Sequence, residues 1–519
     1  MKQNHLGSRL LAVLLTVAML CSLLVPAVSA TEPAKESDGT QEPELTAIDP
    51  ATLHVSKLGA LEEEPAAPVE QAPYALTDLV RVSIVLDGEA TLDRYSADGV
   101  GTNAAANAYR NELRARQDAV QARIESALGK SLNVKWNLTL AMNLISAELR
   151  YGDLEAVKAV PGVKDVFVEN RYEAPVDETD GDVAEPNTAN TSDNMVGAAA
   201  AWAEGYTGAG HTVAIIDTGV DYLHQSFDAD AFNYAIQQTG KTVNLMTAAS
   251  YSGLTLNGAG RYVSAKIPFG YNYVDQTNTL VNLGHMQDTA GEHGSHVAGI
   301  SAANRFIKSG SAYNDAASTV HAVGMAPDAQ ILIMKVFGQG GGAADSDYMA
   351  AIEDCMTMGV DVCNLSLGSS APGFSVSDAY QDVLNRLANG TQNTKLVVSI
   401  SAGNAGAFAD NLQTDLYIDD VYMHTGGSPG SFFNSLCVAA AQNTGATGTP
   451  LVYNGENVFY AETDPGSTSR AKMTTIPGTW SFVYIDAIGE AADYAAVNAA
   501  VSLSGKIVIV NRGDLSFVE

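Results

Sequence analysis

Basic residues are scarce. Lys and Arg number 28 against 59 Asp and Glu in 519 residues, which leaves a net charge of −31. So acidic a surface repels phosphate backbones and anionic membranes, which argues against nucleic acid as a partner and favours solubility. Cysteine is scarcer still, with 4 in the chain. Cys21 lies in an N-terminal apolar run, leaving Cys355, Cys363 and Cys437, an odd number that excludes a dense disulfide framework. Cys355 and Cys363 straddle a predicted helix and the strand after it, where buried thiols are the simplest expectation and one bridge stays open. Beyond the N-terminal run no apolar stretch reaches the roughly 20 residues that a bilayer span needs, so no membrane span is expected. No internal repeat is visible.

The texture changes several times along the chain. Lys2 and Arg9 precede the apolar run Leu10 to Val25, and Val28-Ser29-Ala30 follows. Residues 1–30 therefore read as a secretory signal peptide, and the rest is expected outside the cell, with cell-envelope association through a further C-terminal region left open. Residues 31–75, as in Glu62-Glu-Glu-Pro-Ala-Ala-Pro68, read as a disordered linker. Residues 76–174 carry a globular pattern: a strand at Val80–Leu86, a helix at Ala104–Leu128, strands at Val134–Leu140 and Leu144–Leu149, a short helix at Leu154–Val160 and a strand at Lys164–Val168. That βαββαβ order predicts a ferredoxin-like α+β domain. Residues 175–194 form a second, acidic linker that looks exposed and cleavable.

From 195 to 445 the pattern is strand, loop, helix in repetition. Strands are expected at Thr212–Ile216, Gln330–Val336, Val360–Leu365, Leu396–Ile400 and Leu436–Ala440, with helices at Ser295–Ala303, Asp345–Met358 and Asp378–Ala388. Continuous apolar strands imply an α/β fold, a parallel sheet with helices on both faces. Residues 446–519 break the rhythm with Tyr- and Thr-rich strands and read as the start of a β-rich insert.

In open α/β sheets, ligands gather at the carboxyl ends of the strands. Asp217 follows Ile216, Ser366-Leu367-Gly368 follows Leu365, Asn404 follows Ser401-Ala-Gly403, and His293 opens a helix beside them. The set suits a relay in which a carboxylate fixes an imidazole tautomer, the imidazole takes a proton from a serine hydroxyl, and an amide stabilises the oxyanion. Each residue also has a plainer reading. Asp217 before Thr-Gly is an aspartate turn, Asn404 alone is a turn residue, and a Gly-rich loop is commonly only a turn. His285, His293 and His296 offer a zinc reading, yet no cysteine or Glu-x-x-His helix completes that set, so no metal is assigned. His224 and His321 read as structural.

Asp217-Thr-Gly-Val-Asp, His293-Gly-Ser-His-Val-Ala-Gly-Ile, Asn364-Leu-Ser-Leu-Gly-Ser and Ser401-Ala-Gly-Asn404 together resemble the subtilisin-like serine peptidases, in the family's order. The resemblance implies that Asp217 is the acid, His293 the general base and Asn404 an oxyanion donor. It implies that Ser366, Leu367 and Gly368 line the primary specificity pocket through backbone atoms. Gly341 and Gly342 would offer an edge strand to an extended substrate. Ser295 stands where threonine is usual.

Residues 76–174 resemble the family's propeptide inhibitor domain, whose C-terminal tail blocks the cleft until self-cleavage, expected here within 175–194. Residues 446–519 resemble the start of a protease-associated domain, which lactocepin-like cell-envelope proteinases insert between the oxyanion asparagine and the serine. No Gly-Thr-Ser-Met-Ala-type stretch occurs in the 519 residues. The resemblance therefore implies a truncated zymogen, with the nucleophilic serine beyond Glu519 and this fragment inactive alone. Its implied partners are polypeptide substrates and its own propeptide. No cofactor is required, and the loop Asn304 to Thr319 lacks the short Asn- and Gly-rich form that holds calcium in many of the family, leaving calcium unsupported. An insertion around Ala229 to Asp275 is expected to reshape the cleft. The competing reading is a catalytically dead scaffold that binds polypeptides; retention of Asp217, His293 and Asn404 together speaks against it.

Overall fold

The computed structural model describes residues 74–174, 195–247, 253–256, 258–281, 291–320, 322–339, 341–368, 378–388, 395–403, 427–432, 436–441, 450–459, 476, 478–487 and 490–511. The expected signal peptide, nearly all of the first linker, the second linker, and Asn404, His285 and His321 lie outside them.

Residues 74–174 build an antiparallel sheet from β1 (Leu79–Leu86), β2 (Asn133–Leu138), β3 (Leu144–Arg150) and β4 (Val163–Val168), in the order β2-β3-β1-β4. A helix at Ala104–Leu128 begins at Asn103, whose side chain accepts from the amides of Ala105 and Ala106, and stops at Gly129 with φ 64°. Its Val120 and Ile124 bury against Val82, Ile84 and Ile145 of the sheet. The second strand ends at Leu138, short of the expected Leu140. The amides that follow turn away from the ladder toward one carboxylate, Glu353. The chain then leaves this sheet as β5 (Arg171–Tyr172).

The second sheet is parallel throughout. It comprises β6 (Thr212–Asp217), β7 (Phe269–Asn272), β10 (Gln330–Lys335), β12 (Val362–Leu365), β13 (Val397–Ser401) and β14 (Leu436–Val438), in the order β14-β13-β12-β6-β10-β7. Its register sets Lys335 beside Asp217 and Leu365 beside Ile216, so the carboxyl ends share one edge. The edge strand β7 comes from the segment read as an insertion; at four residues with Gly270 inside, it is too short to show periodicity. Between β7 and β10 lie a helix at His293–Ala302 and a hairpin of β8 (Phe306–Ser309) and β9 (Ala312–Asp315). After β10 comes β11 (Ala343–Ala344), which pairs antiparallel with β5.

A helix at Asp345–Met358 runs directly on from β11 and is buried along its whole length. One side meets the large sheet and the other meets residues 74–174. A single apolar core joins all three, with Trp136, Leu138, Leu140 and Tyr172 beside Met349, Ile352 and Met356 and beside Ile216 and Leu365.

The last described stretch carries a helix beside strands. It holds the hairpin β15 (Pro450–Tyr453) and β16 (Glu456–Phe459), then β17 (Phe482–Ile485) and β18 (Ile507–Val510) as a parallel pair joined through a helix at Ala491–Ala500. Six alanines in ten residues explain the helix, since alanine is the strongest helix former.

Candidate active site

Asp217 closes β6 and is fully buried. Its Oδ1 accepts from the Thr218 amide at 2.6 Å, and both of its oxygens lie 3.0 Å from His293 Nδ1. A carboxylate can only accept, so Nδ1 carries the proton and Nε2 is the basic nitrogen of the neutral ring. The backbone locks this pair. The Gly294 amide donates to Thr218 Oγ1 at 2.8 Å, and a Cβ at Gly294 would stand 2.1 Å from Gly219 O and 3.1 Å from Asp217 Oδ1. Glycine is therefore required where the His293 helix crosses the Asp217 turn. The helix starts at His293, two residues before the expected Ser295, whose hydroxyl instead accepts from the Asp221 amide at 2.8 Å. Beneath the turn, the buried Lys335 ammonium donates to Thr218 O.

The other residues singled out in the sequence fall around that edge. Ser366, Leu367 and Gly368 follow β12; Leu367 is buried, and Gly368 faces the backbone of Gly427 and Ser428. Gly341 and Gly342 precede β11 and meet the β5 segment. A Cβ at Gly342 would fall 1.9 Å from Tyr172 O, and one at Gly341, where φ is 95°, would fall 2.3 Å from Arg171 Nη2. Asn404 lies outside the described residues, three positions after the end of β13. His296 does not join His293. It lines a separate cavity of about 320 Å³ with Asp221, His224, Glu292 and Ile300. Cys355 and Cys363 are buried free thiols and Cys437 is exposed.

The acids of the Asp345–Met358 helix escaped the sequence reading. Glu353 accepts from the amides of Leu140 at 3.0 Å and Ala141 at 2.7 Å, with those of Thr139 and Met142 at 3.4 Å. Asp347 accepts from Arg81 Nη2 at 2.8 Å and from Trp136 Nε1 at 2.7 Å. Glu169, sent back from the first sheet, accepts from Ser346 Oγ at 2.7 Å and Ser83 Oγ at 2.8 Å. Asp354 accepts from Tyr273 Oη at 2.9 Å. Four carboxylates on a helix between two apolar strands are the one hint the sequence holds, and it does not say what covers them.

Burial raises the carboxyls of Asp345 and Asp354 to about 7, and raises that of Glu353 against the pull of Arg110. In an unfolded chain an aspartate titrates near 3.8. Between about pH 4 and 7 the folded chain therefore holds more protons than the unfolded one, and its stability from these groups is lost as pH rises through that window. The urea midpoint of the 519-residue chain should be lower at pH 7.5 than at pH 5, and Asp354→Asn should flatten the difference. A midpoint that climbs over this range would contradict the assignment.

A PI-type proteinase of Lactococcus lactis subsp. cremoris is 30% identical over 422 residues, covering 78% of this chain and 20% of that protein. The minor extracellular protease Vpr of Bacillus subtilis is 27% identical over 386 residues, covering 72% and 38% respectively. A C5a peptidase of Streptococcus pyogenes is 26% identical over 318 residues, covering 60% and 24%. The chain thus spans only about a fifth to two-fifths of the length of these relatives. The family model described as the subtilase family matches residues 208–507, more than half of the chain and inclusive of Asp217 and His293. By that match and by its parallel sheet with flanking helices, the chain belongs to the subtilase family of serine peptidases and has a subtilisin-like α/β fold.

Proposed function

We propose that this chain is the zymogen portion of an exported serine endopeptidase, with Asp217 as the acid and His293 as the general base. In this reading residues 76–174 are an inhibitory propeptide, 195–445 belong to the catalytic domain, and 446–519 begin an inserted protease-associated domain. Asn404 supplies an oxyanion donor, and Ser366, Leu367 and Gly368 supply the primary pocket. The reading requires a nucleophilic serine within reach of His293 Nε2.

One observation carries the reading. The first domain sends its own extended segment, Arg171–Tyr172, onto the edge of β11 as an antiparallel strand, and β11 follows the carboxyl end of β10, where Lys335 pairs beside Asp217. A substrate peptide bound by strand addition would need that same edge, so the segment excludes it. Cleavage within 175–194 would then free the edge. The scaffold reading is not favoured, since a protein that only binds has no use for an imidazole held 3.0 Å from a buried carboxylate.

The test uses the gene's full reading frame. The expressed protein should cut itself between residues 175 and 194 and then label with a fluorophosphonate on one serine, and His293→Ala should stay uncut and unlabelled. A frame without such a serine, or labelling that survives His293→Ala, would overturn the proposal.

A further inference from the structure

Asp345 grips the N-terminal segment at two points. Its Oδ2 accepts from the Asn170 amide at 2.8 Å, and its Oδ1 accepts from the Tyr172 hydroxyl at 2.8 Å. The Tyr348 hydroxyl donates to the same Oδ1 at 3.1 Å. The Tyr172 ring is fully buried and meets the Tyr348 ring edge-on with centroids 5.9 Å apart.

A pocket meant for any large apolar side chain has no use for a buried carboxylate, which is costly unless its lone pairs are filled. Here two of the three side-chain and backbone donors that fill it come from the Asn170–Tyr172 segment. An incoming peptide that displaces this segment has to replace both. Any peptide backbone can supply the amide donor, but a hydroxyl at the ring's far end comes with tyrosine alone among the aromatic side chains that match Tyr348 edge-on.

We propose that this pocket is a tyrosine-selective subsite, in which Asp345 reads the phenol hydroxyl of the substrate residue that pairs with Ala343. The inference rests on the proposed function, because it assumes that substrate follows the antiparallel path of Arg171–Tyr172. Phenylalanine fills the ring space and takes from Oδ1 the shorter of its two hydroxyl donors, leaving Tyr348 at 3.1 Å; leucine also forfeits the ring contact. Asp345 is here a specificity-determining residue, remote from the reacting atoms.

The test has two arms. In the first, the processed full-length enzyme is given quenched peptides in which Tyr, Phe or Leu is walked along the residues preceding the cleaved bond. At one position kcat/KM for Tyr should exceed that for Phe by about tenfold, the worth of a buried hydrogen bond. Asp345→Asn should bring the two within about threefold while the Phe peptide is still cut. Phe equal to Tyr at every position, or a Tyr preference that survives Asp345→Asn, would overturn the inference.

The second arm needs no catalysis. In the 519-residue chain, Tyr172→Phe should speed hydrogen exchange of the amides around residues 170–173 by about tenfold, and should add little in an Asp345→Asn background. Additive effects would remove the coupling and with it the proposal. If no peptide is cleaved but the coupling holds, the endopeptidase reading fails while recognition of a tyrosyl hydroxyl by Asp345 stands.

Discussion

Asp217→Asn in the full reading frame should lower kcat for peptide hydrolysis by about 10⁴ with little change in KM. The direction follows from the hydrogen bonds. Oδ1 already accepts from the Thr218 amide at 2.6 Å, and an asparagine would keep its carbonyl oxygen there. The amide nitrogen would then face His293 as a donor. Nδ1 would become the acceptor, the proton would move to Nε2, and the ring could no longer take a proton from a serine. KM should hold because Asp217 is buried beneath the turn and the residues that meet the extended segment are others, Ala343, Ala344 and Asp345. A fall of less than tenfold would mean that the 3.0 Å contact does not set the tautomer. Self-processing gives a second readout, since the same variant should accumulate uncut.

What could be read from the sequence was what rests on local pattern. Thr212–Asp217 and Gln330–Lys335 are unbroken apolar runs, and a parallel sheet buried on both faces demands that. The Asp217 and His293 motifs could be read because glycines beside them answer to close backbone approach, as Gly294 does against Gly219 O. Three features were not legible, each for a nonlocal reason. β7 is a four-residue strand held by pairing with β10, some sixty positions away, and by single bridges to Arg261 and Thr277. The early end of β2 is set by Glu353, which lies more than two hundred residues further on. The buried acids of the Asp345–Met358 helix look like a solvated face until residues 74–174 are laid over them.

Glu353→Ala should release that overlay. The change would leave the amides of Leu140 and Ala141 without their acceptor, at present 3.0 and 2.7 Å away, and would strip the Thr255 hydroxyl of its partner at 2.9 Å. It would also remove the carboxylate that lies 4.0 Å from the buried Arg110 guanidinium. Removing one member of a buried charged set costs about 3–5 kcal/mol, which corresponds to a roughly 10²-fold to 4 × 10³-fold weaker hold of residues 74–174 on the sheet. Hydrogen exchange should show it first, at the amides of residues 139–142, ahead of the core of β6 and β10. Glu353→Gln separates the two terms that oppose each other at this site. It keeps a carbonyl for the amides and discards the charge, whose burial is what raises the carboxyl. If Gln restores most of the hold, the amide acceptors dominate. If Gln is as weak as Ala, the ion pair with Arg110 dominates. If Ala itself leaves exchange at residues 139–142 unchanged, Glu353 does not anchor this domain, and the buried acids of the helix need another explanation.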